Sequence, residues 1–513
     1  MPARATQLLL PDNLTASGAA DALAGELPIV TQRAHMLERT FWDTFDGRIH
    51  QAGLALVDGG RRLALADAAT YTEEVGAESG SAARRLLAGD LPAGALRDRV
   101  ARLIEMRALT PVARVRSRML PVNVLDELSK IVVRLRVEEP VAVGASAAKI
   151  ALRPRLHVIG VLGYDADYER VLALLTGQLG LVEATRPVHD DAIEATGGTA
   201  GGTSSKLRVD LAPELRADAA AVTVLRRLQE VIEANLPGTL ADLDSEFLHD
   251  LRVAVRRSRA MQRELAGVFP PEPLRVFRDG FKGLQAVTGA VRDLDVQLLE
   301  FDDLAAGLPE RDDVAPLRRL LEARLVTERK KMVRALRSSR TRGLLDNWRA
   351  FLDELVEADE DDRPDAARPV RDVAGERIYR VYRRMVKMGR AIDDDSPAEA
   401  LHELRKKGKE LRYLLEFFAP LYPADVVKPM VATLKALQDV LGRFQDREVQ
   451  ADALRALGDE IAVLEGGAAA LMAMGVLVQC LADEQAQARE QFAERFARFS
   501  AKPQRKLVSK TFG

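Results

Sequence analysis

Over roughly its first 185 residues the chain alternates apolar and polar positions in short runs. From about residue 206 apolar residues recur every three or four positions instead. Residues 7–10 (QLLL), 61–65 (RRLAL), 112–116 (VARVR) and 131–137 (IVVRLRV) are β-branched or alternating, and Gly59-Gly60 and proline-containing breaks separate such runs. This pattern predicts an antiparallel sheet or barrel. Helical patterns intervene near 15–25, 83–107 and 165–180. Residues 196–205 (TGGTAGGTSS) mark the clearest boundary and predict a flexible linker over 186–205. Long amphipathic helices follow over 211–234, 246–268, 272–304 and 315–356. The acidic stretch 359–364 (DEDDRP) reads as a solvated loop, after which the helical pattern begins again. The predicted fold class is therefore α+β. An N-terminal antiparallel β barrel-like domain (1–185) and the linker precede an all-α domain (206–505) and a short tail (506–513).

The helical region repeats itself. Residues 248–259 (LHDLRVAVRRSR) return 153 positions later as 401–412 (LHELRKKGKELR). At the same offset Phe269-Pro270 matches Tyr422-Pro423, 282–289 (KGLQAVTG) matches 435–442 (KALQDVLG), and 292–296 (RDLDV) matches 445–449 (QDREV). A gap-free match from 248 to 296 signals duplication. With about four helices per copy, halves at 206–356 and 366–500 predict two pseudo-symmetric four-helix bundles.

Each copy carries the same chemistry. His249, Arg252, Arg256 and Arg259 are spaced +3, +4, +3, within an arc of ~80° on a helix, and Arg263 extends the stripe. His402, Arg405, Lys409 and Arg412 occupy the matching positions. Leu251, Ala254, Val255, Ser258, Met261 and Leu265 line the opposite side of the first helix; Leu404, Gly408, Leu411, Leu415 and Phe418 line that of the second. An ordinary solvated face has no reason to repeat its histidine at a fixed offset, together with Lys282 and Lys435, in a chain with six histidines. Arginine offers a rigid fork for oxyanions and lysine a mobile point charge, so these donors suit phosphate. Stripes facing each other across the pseudo-twofold axis would line a basic channel for a linear polyanion. Asp293 and Asp446 orient arginines or cap a helix.

Composition narrows the partners. With net charge −2 over 513 residues, no global field draws in polyanions, so any basic site arises from local segregation. A single cysteine, Cys480, excludes an intrachain disulfide and a thiolate zinc cluster. The N-terminal residues MPARATQLLLPDN lack the apolar core of a signal peptide. The apolar run 466–480 is shorter than a membrane span and predicts a buried bundle helix. These features lead us to expect a soluble cytoplasmic protein.

HDLRVAVRRSR, VRDLDV and HELRKKGKELRY, with their spacing, closely resemble the CHAD domain, the conserved histidine α-helical domain, over about 206–505. The resemblance implies two four-helix bundles around a basic pore, binding of inorganic polyphosphate and association with polyphosphate granules. Carried over, the polyphosphate-binding residues are His249, Arg252, Arg256, Arg259, Arg263, Lys282 and Arg292, then His402, Arg405, Lys409, Arg412 and Lys435. Gln445 stands where the first half has Arg292, which implies weaker binding there. CHAD domains often follow a CYTH domain, the triphosphate tunnel fold, and 41–46 (FWDTFD) with 52–56 (AGLAL) resembles a degenerate one. Its catalytic acids are absent: the first strand reads ARATQ at 3–7, and the late strand reads LHVIGVLG at 156–163. Without them a divalent metal lacks hard oxygen ligands. The segment 114–118 (RVRSR) alternates as a tunnel-facing strand or a charged surface strand would.

The resulting expectation is a non-enzymatic polyphosphate-binding protein with no cofactor, metal or membrane requirement. A metal-dependent triphosphatase in the N-terminal barrel is the enzymatic alternative; it is disfavoured by the missing acids and by the lack of a phosphate loop or a nucleophile with a paired base. Nucleic-acid binding is the third reading. It calls for aromatic platforms beside the cations, and Tyr413 is the sole aromatic within the two histidine–arginine segments.

Overall fold

Alternation in the N-terminal region produces an entirely antiparallel sheet. The computed structural model of the protein describes residues 4–12, 14–78, 84–144 and 147–513, and divides them into two compact units meeting at Ser205/Lys206. In the first unit, strands Val182–Glu183, Ala5–Leu9, Arg155–Gly160, Ile131–Val143, Leu109–Leu125, His35–Thr44, Leu54–Asp58, Arg62–Asp67 and Glu73–Glu78 lie side by side in that order. Gln7 near one end and Arg62, Ala64 and Glu73 near the other line one cavity of about 420 Å³. The Gln7 amide donates to the Ala69 carbonyl. The sheet is thus curled into a half-barrel, a shape compatible with the CYTH-like tunnel fold.

Because strand side chains alternate, Val133, Leu135 and Val137 enter a core beneath helices Ala16–Glu26 and Asp165–Ala173. Arg136 and Glu138 turn to the cavity. The same alternation settles segment 114–118. Ser117 is buried and bonds into the cavity, whereas Arg114, Arg116 and Arg118 are exposed, and Arg116 and Arg118 pair with Glu38 (3.2 Å) and Glu139 (3.1 Å). These arginines belong to the outer surface. Of the helix expected over 83–107, Ala95–Ile104 forms; residue 83 lies outside the described residues, as does Ala3 of the first-strand segment. The late strand ends at Gly160 rather than 163.

Residues 186–205 are not a free linker. Helix Val188–Ala195 packs Val188, Ala192 and Ile193 against Phe41, Ala55, Ala113 and Val115. The glycines beyond it press on the segment after the His35–Thr44 strand. A Cβ on Gly202 (φ +78°) would lie 2.4 Å from the Gly47 nitrogen, and one on Gly47 2.0 Å from the Gly201 oxygen. The Thr203 N–H then donates to the Phe45 carbonyl at 2.8 Å. Glycine serves close backbone approach here, not flexibility.

In the helical unit the duplication extends to helix starts. Helices Ala217–Ala241, Ser245–Glu264 and Pro271–Val287 begin 153 residues before Val370–Arg390, Ala398–Phe418 and Ala424–Ala456. The copies diverge in continuity. The predicted 272–304 helix breaks at Thr288, where its hydroxyl bonds the Leu284 and Gln285 carbonyls and accepts from Arg252; helix Gly289–Leu299 follows. In the second copy Leu441 replaces the threonine and the helix runs on to Ala456. The predicted 315–356 helix also breaks, at Ser338, which caps helix Ser339–Glu354.

Both cores of the unit draw on both repeats. The larger includes Leu251, Phe281 and Trp348 from the first copy and Leu404, Phe417 and Phe499 from the second. The smaller joins Phe301, Leu317 and Leu321 to Leu454, Ile461 and Leu477. Residues 506–513 are no tail: helix Lys502–Phe512 buries Val508 and stacks Phe512 edge-on against Tyr422, centroids 4.6 Å apart. The 359–364 loop is solvated except at Arg363, whose buried guanidinium donates to the Leu355 carbonyl (2.8 Å) and pairs with buried Asp218 (3.3 Å). The 466–480 run lies in helix Gly467–Phe499 and is buried on one face alone. Ala470, Met474 and Leu477 face the core, while Met472 is 72% exposed and Val476 45%. Among the described residues this is the one helix long and apolar enough to cross a bilayer by length and composition.

Candidate functional site

The two stripe helices pack against each other, and their ion pairs record the symmetry. Arg257 bonds Glu416 at 2.6 Å and Arg263 approaches Glu410 at 3.5 Å. At the offset of 153, Arg257 corresponds to Glu410 and Arg263 to Glu416. Position i of one copy therefore meets position j of the other, and j meets i, which is the signature of a twofold contact. An unmodified repeat would set arginine against arginine; the charge swap makes the contact attractive. The sequence carries this signal as two Arg/Glu mismatches six residues apart.

This contact brings the stripes together at their middle. Lys409 is half-buried, and its ammonium is pushed down to about 8 by burial, then by Arg405, Arg256 and Arg412; Asp446 opposes them. Arg256 keeps a buried Nε with no hydrogen-bond partner. Arg252 is lowered by burial, with Arg256 and Arg292 adding to it against Asp293, and Arg259 by burial and Arg263. The site thus holds concentrated, incompletely compensated positive charge, which an anion would relieve.

Individual stripe residues are not equally available. Arg252 spends Nη1 on the Gln285 carbonyl (3.0 Å) and Thr288 hydroxyl (2.8 Å), closing a helix end. Its counterpart Arg405 bonds Asp446 at 2.9 Å. Arg259 donates to the Gln285 side chain, and Arg412 pairs with Glu416 at 2.7 Å. Arg263 is paired with Glu264 (2.7 Å) as well as Glu410, so the first stripe is largely neutralised at its end. Arg292 reaches the Ser245 carbonyl at 3.5 Å. His249 is half-buried at the stripe's start; His402, also half-buried, bonds Gln445, which in turn donates to Glu448 at 3.2 Å. Lys282 and Lys435 are exposed and make no ion pair among the described residues. Asp293 is raised by burial against the pull of Arg252 and Arg292. The ligand atoms of Glu399, His402 and Glu403 also lie within 4.8 Å of one another, a grouping the sequence reading did not anticipate. Lys406 already pairs with Glu403.

The half-barrel cavity has a different character. Glu138 projects into it from strand Ile131–Val143, which carries no motif in the sequence to mark it. It accepts from Arg39, from Ser117 (2.6 Å) and at 2.6 Å from His157. Burial raises its carboxyl, but Arg39, His157 and Ser117 outweigh this and hold it well below the usual carboxylate range. Its oxygens are consumed by these partners, and Glu73 is paired with Arg62. Beyond Tyr71 a second polar chain runs inward. The Tyr71 hydroxyl lies 2.7 Å from His189 Nδ1, and His50 Nε2 lies 3.2 Å from Asp190. Burial pushes His189 down to about 4 and raises Tyr71, so near neutral pH Tyr71 donates to an uncharged imidazole.

Comparison with known proteins gives one family match: residues 223–455 fit the CHAD domain profile. Among solved structures, the chain is similar to the CHAD domain from the plant Ricinus communis, at 23% identity and TM-score 0.49, over 57% of this chain and 95% of that one. It is also similar to PptA from Streptomyces chartreusis, at 17% identity and TM-score 0.42, over 55% and 99% of the respective chains. No curated protein matches.

Proposed function

We propose that this protein binds inorganic polyphosphate without cleaving it, a reading supported by the match of residues 223–455 to the CHAD domain profile, a family of polyphosphate-related function in general. The facing cationic stripes grip the chain and thereby hold the protein at polyphosphate granules in the cytoplasm. The observation that carries this reading is the middle of the facing stripes: Lys409 is half-buried and its pKa depressed by burial, Arg405, Arg256 and Arg412 against the pull of Asp446, beside an Arg256 whose buried Nε has no hydrogen-bond partner, and an anion would relieve this charge. A linear polyanion supplies many charges at once and releases condensed ions, so affinity falls steeply with salt. Binding centres on Arg256, Arg405 and Lys409, with Arg252 and Arg259 contributing the donors left over from their helix-end bonds.

The test is a titration against polyphosphates of several chain lengths, with single-stranded DNA as competitor. Arg252→Ala combined with Arg405→Ala weakens polyphosphate binding while the helical circular dichroism persists. Unchanged affinity in that double variant, or displacement by DNA at equal phosphate concentration, overturns the reading. In the half-barrel, Glu138 is the one fully buried acid lining the cavity among the described residues, and its oxygens are spent on Arg39, Ser117 and His157. We therefore expect no phosphate release from tripolyphosphate with added magnesium or manganese.

A further inference from the structure

The duplication provides an internal control that exposes a second cationic surface. Helix Val370–Arg390 carries seven cations (Arg371, Arg377, Arg380, Arg383, Arg384, Lys387, Arg390) and two acids. Its equivalent in the first copy, Ala217–Ala241, carries two cations and three acids. Where the first copy has Glu230, Val231 and Ala234, the second has Arg383, Arg384 and Lys387. Helix Lys502–Phe512 packs beside it and adds Lys502, Arg505, Lys506 and Lys510 with no acid. A charge excess that arose in one copy alone does not follow from the bundle fold, which the other copy forms without it.

The surface is concave and cationic. Arg380, Arg383, Arg384 and Lys387 lie within an arc of ~100° and span ~10 Å of helix, lining a groove of about 750 Å³. All four are exposed and none forms an ion pair among the described residues. The groove's acidic side chain, Glu376, is engaged by Arg368 at 2.5 Å and held below its ordinary value first by that bond, with Arg380 and Arg377 adding to it. The aromatic rings are committed. Tyr379 is covered by the Arg383 guanidinium, 5.6 Å from its centroid, and Phe512 is buried against Tyr422. Without an open ring on which a base could stack, the groove favours a polyanion of bare phosphates over a nucleic acid.

We propose that the groove between helices Val370–Arg390 and Lys502–Phe512 is a second, separate binding track for a linear phosphate chain. It deepens the polyphosphate reading of the stripes and rests on it. With two tracks, one molecule holds one long chain at two points or bridges two chains.

The test uses the full-length protein and a short-chain polyphosphate of defined length, followed by calorimetric titration. Wild type shows two classes of site. The groove variant Arg380→Gln/Arg384→Gln/Lys387→Gln, altered at exposed positions only, loses one class and keeps the other. The slope of log affinity against log salt for a long chain falls by about 2, at ~0.7 per neutralised phosphate contact. The stripe variant Arg405→Ala/Lys409→Met loses the complementary class. If wild type binds two classes and the groove variant retains both with an unchanged slope, the groove assignment fails while the stripe reading stands. Absence of any polyphosphate binding by wild type overturns both. Preferential retention of single-stranded DNA by the groove, lost in the groove variant, overturns the assignment to a phosphate chain.

Discussion

Replacing Lys409 with methionine separates the cost of the cationic site from its use. The ammonium falls from an ordinary 10.5 to about 8, first through burial and then through Arg405, Arg256 and Arg412. At 1.36 kcal/mol per pH unit, holding Lys409 charged at neutral pH costs on the order of 3 kcal/mol, an upper bound because part of the side chain is in water. Lys409→Met, close in shape to the lysine stem, therefore raises the melting temperature of the free protein. The folded state binds fewer protons than the unfolded chain between pH 8 and 10.5, so wild-type stability rises with pH across that window. The advantage of the variant is accordingly full below pH 8 and disappears towards pH 10.5. Binding reverses the shift. A phosphate chain beside Lys409 restores its pKa towards the ordinary value, so at pH 9 complex formation takes up ~0.9 proton. Titration calorimetry in buffers of different ionisation enthalpy measures this directly. Loss of the uptake in the Lys409→Met variant assigns the signal to Lys409. Proton uptake near zero at pH 9 in wild type, or undiminished uptake in Lys409→Met, would refute the reasoning.

Three further outcomes test the architecture. Glu138→Gln strips Arg39 of its buried partner and destabilises the first unit by ~3–5 kcal/mol; the wild-type contribution is present above the ordinary carboxylate value of 4.5 and is lost as the pH falls below it. Hydrogen exchange in residues 1–205 as a function of pH reports both effects, and a loss under 1 kcal/mol contradicts them. Gly202→Ala places a methyl against the Gly47 backbone at positive φ and lowers the stability of the first unit by at least ~1 kcal/mol; a free linker would tolerate the change, and equal hydrogen-exchange protection would sink the strap. A double-mutant cycle on Arg257 and Glu416, half-withdrawn from water at 17% and 22% side-chain exposure, yields a coupling of roughly 1 kcal/mol in denaturant unfolding; zero coupling removes the energetic role of the charge swap.

Much of the helical unit was legible in the primary structure because a duplication repeats both its apolar period and its chemistry. The offset of 153, the stripe spacing and the antiparallel alternation of the first unit follow from local rules, since burial on one face leaves its period in the sequence whatever lies opposite. What the cations do depends on groups distant along the chain. Arg252 and Arg405 occupy equivalent positions, yet Thr288 draws one to a helix end while Asp446 takes the other. Arg263 has the spacing of a ligand residue, yet Glu264 and Glu410 lie beside it and take its charge. Glycine-rich 196–205 carried the composition of a linker, and the proximity of Gly47 alone made it a packed strap. Glu138, hidden on a strand with no recognisable motif, became the centre of a buried network through residues 99, 21 and 19 positions away. Local pattern is enough to assign residues to each face and to show that the chemistry comes twice. Which cations are already neutralised is not written in that pattern, because pairing requires distance, and distance between remote residues is set when the two copies pack.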